Sequence, residues 1–111
     1  MGSIVIKLNP QKLINPDADI RYLISDKVEE LTLGKVTGNG YDYLDDEVSS
    51  MVIFFKSSDP KEDIAFVLEI LSNNSFKCNQ IHGIAEIFLS DKSDKELDAY
   101  NYDLSMFEQI R

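Results

Sequence analysis

One cysteine and one histidine are the residues of this chain best suited to nucleophilic chemistry, and they lie close together in Cys78-Asn79-Gln80-Ile81-His82. A thiol with a base four residues on suits a cysteine nucleophile activated by imidazole. The remainder of such a site is missing. No third group is identifiable that would orient the imidazole, and neither residue stands beside a glycine-rich elbow or a helix N-terminus. Any chain with one residue of each kind has some spacing between them, so the pair alone argues no activity. As zinc ligands the two lack the second pair that a four-coordinate structural site needs. No catalytic residue, metal or cofactor is expected.

Carboxylates are the other candidates. The stretch Asn39-Gly40-Tyr41-Asp42-Tyr43-Leu44-Asp45-Asp46-Glu47 concentrates four of them, and Asp91, Asp94, Glu96, Asp98 and Asp103 form a second acidic stretch. A calcium loop needs oxygens at alternate positions, a glycine turn and a terminal bidentate acid, and Asp42, Asp45 and Asp46 miss that register. A protein-binding face is a second reading, with carboxylates opposite the basic groove of a partner that handles phosphates. Tyr41 and Tyr43 suit it, since tyrosine is enriched at interfaces. A plain solvated hairpin with its tyrosines packed on a sheet fits the same composition, because tyrosine is also a common strand residue. Composition leaves both open. The candidate contact residues are Tyr41, Asp42, Tyr43, Asp45, Asp46 and Glu47. Asp45 and Asp46 are expected at a turn where little core packing is at stake.

The whole chain bears on these choices. Its 111 residues fit a single domain, residues 1–111, with a core large enough to need no metal or disulfide. Eleven Lys and Arg against twenty Asp and Glu leave a formal charge of −9, which repels nucleic acid and anionic membranes. A lone cysteine excludes an internal disulfide, and the apolar run at residues 4–8 is too short for a signal-peptide core or a membrane span. The expected compartment is the cytoplasm. Met1-Gly2-Ser3 reads equally as a native start or a cloning remnant, and Ile6 stands where a myristoylation signal wants Ser or Thr.

Strand and helix signals alternate along the chain. Ile4, Val5, Ile6 and Leu8 predict a strand stopped by Asn9-Pro10. Asn15-Pro16-Asp17 predicts a helix start, followed by Ile20, Leu23, Ile24, Val28 and Leu31 on one face and a stop at Gly34. Ser25-Asp26 offers a second cap that would split this segment in two. Val36, Tyr41 and Tyr43 predict the first arm of a hairpin, interrupted by Gly38-Asn39-Gly40 and starting late, with an acidic turn over residues 44–48. Met51-Val52-Ile53-Phe54-Phe55 is almost wholly apolar, as in a strand buried on both faces.

Asp59-Pro60-Lys61-Glu62 predicts a capping box opening a second helix. Its apolar face is Ile64, Val67, Leu68 and Leu71, widened by Phe66 and Ile70, and Asn73-Asn74-Ser75 ends it. Residues 84–89 predict a strand with Ala85, Ile87 and Leu89 on one face, followed by a loop over residues 90–96. Tyr100, Tyr102, Leu104 and Met106 alternate like a further strand, with a helical turn through Phe107 and Ile110 after it. The order matches an α+β, ferredoxin-like βαββαβ fold: an antiparallel sheet with two helices on one face, plus a C-terminal strand or helical turn.

These segments carry a resemblance. Asn15-Pro16-Asp17-Ala18-Asp19-Ile20-Arg21-Tyr22, then Gly34-Lys35-Val36, then Gly38-Asn39-Gly40-Tyr41-Asp42-Tyr43, then Met51-Val52-Ile53-Phe54-Phe55 and Asp59-Pro60 occur in that order. Together they resemble the small acidic immunity proteins of bacterial polymorphic-toxin and contact-dependent growth-inhibition (CDI) systems. The likeness covers about residues 4–75 and rests on the order of elements, so no toxin-contacting motif transfers residue by residue. It implies a cytoplasmic, non-enzymatic antitoxin that neutralises a cognate toxin domain, often a nuclease. The expected function is inhibition of a basic toxin, a ribonuclease first, by protein-protein interaction that occludes its active-site groove. The alternative is a small acidic ligand-binding or adaptor module of ferredoxin-like type, and a third reading is an enzyme using Cys78.

Overall fold

The strand at the centre is the first one. In a computed structural model that describes residues 2–15, 17, 19–90 and 107–110, β1 (Gly2–Leu8) lies between β3 (Met51–Ser57) and β4 (Glu86–Ser90), antiparallel to both. β2 (Val36–Tyr43) pairs outside β3, and β5 (Glu108–Ile110) pairs outside β4, also antiparallel. The result is an α+β fold with a five-stranded sheet in the order β2-β3-β1-β4-β5 and two helices, α1 (Ile20–Leu31) and α2 (Pro60–Asn73).

Alternation along the strands divides the core in two, because successive side chains leave opposite faces. Ile4, Ile6 and Leu8 of β1, Ile53 and Phe55 of β3, and Ile87 and Leu89 of β4 join one buried cluster with both helices. Val5, Val52, Phe54, Phe88 and Phe107, with Leu44 against them, form a second cluster on the opposite face. Phe54 and Phe55, adjacent in sequence, are both fully buried. Each contributes roughly 1.5–3 kcal/mol through burial alone. That is why residues 51–55 read as an unbroken apolar run.

α1 buries Ile20, Ile24 and Val28, a stripe repeating every four residues. Leu23 and Leu31, expected on that face, are 37% and 50% exposed, since they fall to its sides. The helix is continuous through Ser25, whose hydroxyl donates to the Arg21 carbonyl instead of capping a new helix. It also starts later than the Asn15 signal: Asp19 holds the N-cap position without a side-chain bond, while Asp17 accepts from the Asp19 amide. At the other end Leu33 and Gly34 take positive φ (54° and 81°), and the Gly34 amide reaches back to the Glu29 carbonyl. Glycine suits that turn because it has no Cβ to clash. The buried Thr32 hydroxyl donates to the Val28 carbonyl and accepts from the Val36 amide. β2 therefore begins at once at Val36, not late, and the expected irregularity appears as a register shift between Gly38 and Tyr41.

At α2 the Asp59 carboxylate accepts from the Glu62 amide, as the capping signal predicts. The reciprocal half is supplied differently. The Asp59 amide donates to the Ser57 hydroxyl at 3.1 Å, and that hydroxyl donates to the buried Asp63 carboxylate at 2.6 Å. The buried face of α2 is Pro60, Asp63, Val67, Ile70 and Leu71, and Phe66 is 47% exposed. β4 starts at Glu86, after a turn at residues 82–84, and includes Ser90. Ile110, expected in a helical turn, instead pairs with Ile87 as a strand residue, for which partner-strand hydrogen bonds supply the reason. The strand expected through Tyr100 and Met106, the loop expected at residues 91–96 and the second acidic stretch lie outside the described residues.

Candidate functional site

The alternating period of β2 splits the six candidate residues. Tyr41 and Tyr43 register with Ile53 and Met51, on the helix side of the sheet, whereas Asp42 registers with Val52 on the opposite side. Paired residues of an antiparallel ladder share a face, so the two tyrosines point toward α1 and the carboxylate between them does not. The Asp42 carboxylate accepts from the amide of Tyr43 at 2.8 Å.

On the helix side a cluster forms that involves two residues outside the candidate set, Arg21 and Tyr22 of α1. The guanidinium of Arg21 lies over the rings of Tyr22 and Tyr41, at 4.4 and 4.3 Å from their centroids. It also donates to the hydroxyls of Tyr22 at 3.3 Å and Tyr43 at 3.4 Å. Tyr41 meets Tyr22 and Tyr43 edge to face, each with centroids 6.0 Å apart. A flat cation over ring faces and edge-to-face pairs are the favoured arrangements of aromatic quadrupoles. The hydrogen bond from Arg21 is the main cause holding the Tyr22 phenol below its ordinary value, with Tyr41 and the positive charge adding to it. The cluster stays on the surface, with Tyr22 50% and Tyr43 43% exposed. The sequence signal for its helix half was the Arg21-Tyr22 pair beside the buried stripe, which becomes meaningful only once β2 is laid alongside.

Beyond Tyr43 the chain turns through residues 44–50, where the Leu44 amide donates to the Ser50 carbonyl at 2.8 Å. Asp46 is inside the turn's wiring. Its carboxylate accepts from the amides of Ser50 at 2.9 Å and Val48 at 3.2 Å, and these bonds, that of Ser50 first, hold its carboxyl below the usual range. Asp46 is thus a turn residue whose loss affects the loop itself, at the turn where Asp45 and Asp46 are expected. Asp45 and Glu47 stand exposed at the tip. Asp46 and Glu47 also border an open cleft of about 430 Å³ with Lys7, Lys12 and Glu86. Lys7 pairs with Glu86 at 3.5 Å, so this end of the sheet carries both signs of charge.

Cys78 and His82 fall in successive turns. Lys77 and Cys78 both take positive φ between Phe76 and Asn79, which bridge each other, and Cys78 is exposed. His82 is exposed beside a small apolar pocket of about 210 Å³ lined by Leu68, Leu71, Ala85, Ile87 and Ile110. Among the described residues no three His, Cys, Asp or Glu side chains are grouped to share a metal ion, and no helix is long and apolar enough to cross a membrane. No protein-family model, no curated protein and no solved structure matches this chain.

Proposed function

We propose that this chain is an immunity protein: a non-enzymatic, cytoplasmic antitoxin that binds a cognate basic toxin domain, a ribonuclease foremost, and occludes its active-site groove. The observation that carries the reading is the exposed acidic tip, Asp45 and Glu47, which begins two positions after Tyr43 of a half-exposed tyrosine cluster, on a molecule of charge −9. A groove that handles phosphates is basic, so an acidic protrusion is its electrostatic complement. Tyrosine and arginine beside it are the residue types that dominate interface energetics.

For the scaffold we infer a ferredoxin-like split βαβ arrangement extended by one strand. Support comes from β1 lying antiparallel between β3 and β4, from β2 outside β3, and from a helix crossing after β1 and after β3. The cleft bordered by Lys7 and Glu47 favours a second reading, a small acidic ligand-binding module, because its volume falls in the range of small-molecule sites.

Co-expression decides between them. The chain should protect cells against the toxic C-terminal domain encoded by the neighbouring gene and co-purify with it in a fixed ratio. Cys78→Ser and His82→Ala should protect as well as the parent. Loss of protection in either variant while it remains folded would favour an enzyme or metal protein, and absence of both protection and co-purification would overturn the antitoxin reading.

A further inference from the structure

We propose that the anchor of the partner interface is the cluster of Arg21, Tyr22 and Tyr43 around Tyr41, with a cationic protein surface as its occupant and the acidic tip as its rim. This rests on the antitoxin reading and moves its energetic centre from the carboxylates to the aromatic cluster. Tyr22 and Tyr43 expose about half of their surface, so rings of the cluster are open to a partner. It sits on a helix and a paired strand, and Arg21 ties the tyrosines together through two ring contacts and two hydrogen bonds. Side chains held in place before binding lose little freedom on association, which is how an aromatic anchor gains affinity.

Charge selects the occupant. Asp45 and Glu47 follow Tyr43 by two and four residues, and the chain as a whole carries −9. A second copy would bring the same sign of charge to the interface, and nucleic acid would bring phosphates, so both are repelled. A Lys- or Arg-bearing surface can lay its alkyl stems on the exposed rings and direct its charges to the carboxylates. The edge of β2 argues for side-chain contact over an added strand. Its Val36, Gly38 and Tyr43 amides already donate to Thr32 Oγ1, Glu29 Oε1 and Asp42 Oδ1, which blunts the edge for pairing.

The test titrates the catalytically inactivated toxin domain encoded by the neighbouring gene into the full chain and its variants. Tyr22→Ala and Tyr43→Ala should each weaken binding about thirtyfold or more, chiefly through faster dissociation, as interface anchors do. Arg21→Lys, which keeps the charge but not the flat stacking group, should lie between them and the parent. Asp45→Lys with Glu47→Lys should chiefly slow association and flatten its salt dependence. Leu33→Ala, which removes a side chain 90% exposed beyond the far end of α1, should change nothing. In the unmodified chain, nitration of Tyr22 and Tyr43 by tetranitromethane should be blocked in the complex, which decides the matter even where an alanine variant fails to fold. Full affinity in both tyrosine variants, or unprotected tyrosines in a formed complex, would overturn the anchor and leave the antitoxin reading standing. Failure of the parent chain to bind the toxin domain would overturn both.

Discussion

Asn79, only 1% exposed and sixty-four positions from its main partner, connects two loops. Its side-chain amide donates to the carbonyls of Asn15 and Phe76, and its oxygen accepts from the Asn15 amide at 2.9 Å. Replacing it removes the acceptor of the Asn15 amide and the side-chain donor to the Asn15 and Phe76 carbonyls, so Asn79→Ala is expected to cost about 1–3 kcal/mol in denaturant unfolding. Asp46 behaves differently because its role depends on charge. Its carboxyl is held below the usual range by the Ser50 and Val48 amides, so ionisation favours the folded turn. That contribution is fully present above the ordinary carboxyl value near 3.8 and is lost as pH falls through the lower folded value. The protection of the Val48 and Ser50 amides against hydrogen exchange, taken relative to their intrinsic rates, should therefore fall as Asp46 is protonated in acid. Asp46→Asn keeps an accepting oxygen and should remove the pH dependence while preserving the turn.

At the scale of elements, α2 shows how a local signal is modified by its surroundings. Asp59→Ala removes one cap bond and should lower stability by roughly 1 kcal/mol. Ser57→Ala should cost more, about 1–3 kcal/mol, because the hydroxyl serves the Asp59 amide and the buried Asp63 carboxylate together. Equal denaturant midpoints for the two variants would show that the Ser57–Asp63 bond adds nothing. The Asp-Pro-Lys-Glu pattern was legible because a cap is completed within four residues. The substitution of Ser57 for the return bond of Glu62 was not, because it depends on where β3 ends relative to the helix.

For the whole molecule, a charge of −9 has opposite consequences for folding and for binding. Self-repulsion destabilises the folded chain, so added salt should raise its Tm. The same salt should slow association with a basic partner, since steering relies on unscreened fields. Stopped-flow association and thermal melts over one salt series test both signs. Charge reversal at Asp91 and Asp94 serves as the control for net charge against reversal at Asp45 and Glu47. Equal losses of affinity would mean that only the global field matters.

By itself the sequence determined the elements. Apolar period, proline and asparagine stops, and the Asp59 cap act over a few residues, and they placed β1, β3, α2 and the irregularity in β2 where the chain has them. Composition likewise settled the sign of the surface field. The tertiary structure alone decided which of the acidic and aromatic residues act together. A strand turns successive side chains to opposite faces, so Tyr41 and Tyr43 meet Arg21 and Tyr22 on α1 while Asp42, between them in sequence, faces away. The same holds for β5, whose three residues become a strand because β4 offers an unpaired edge. Such contacts depend on elements brought together across the chain, and no window of a few residues contains both sides of them.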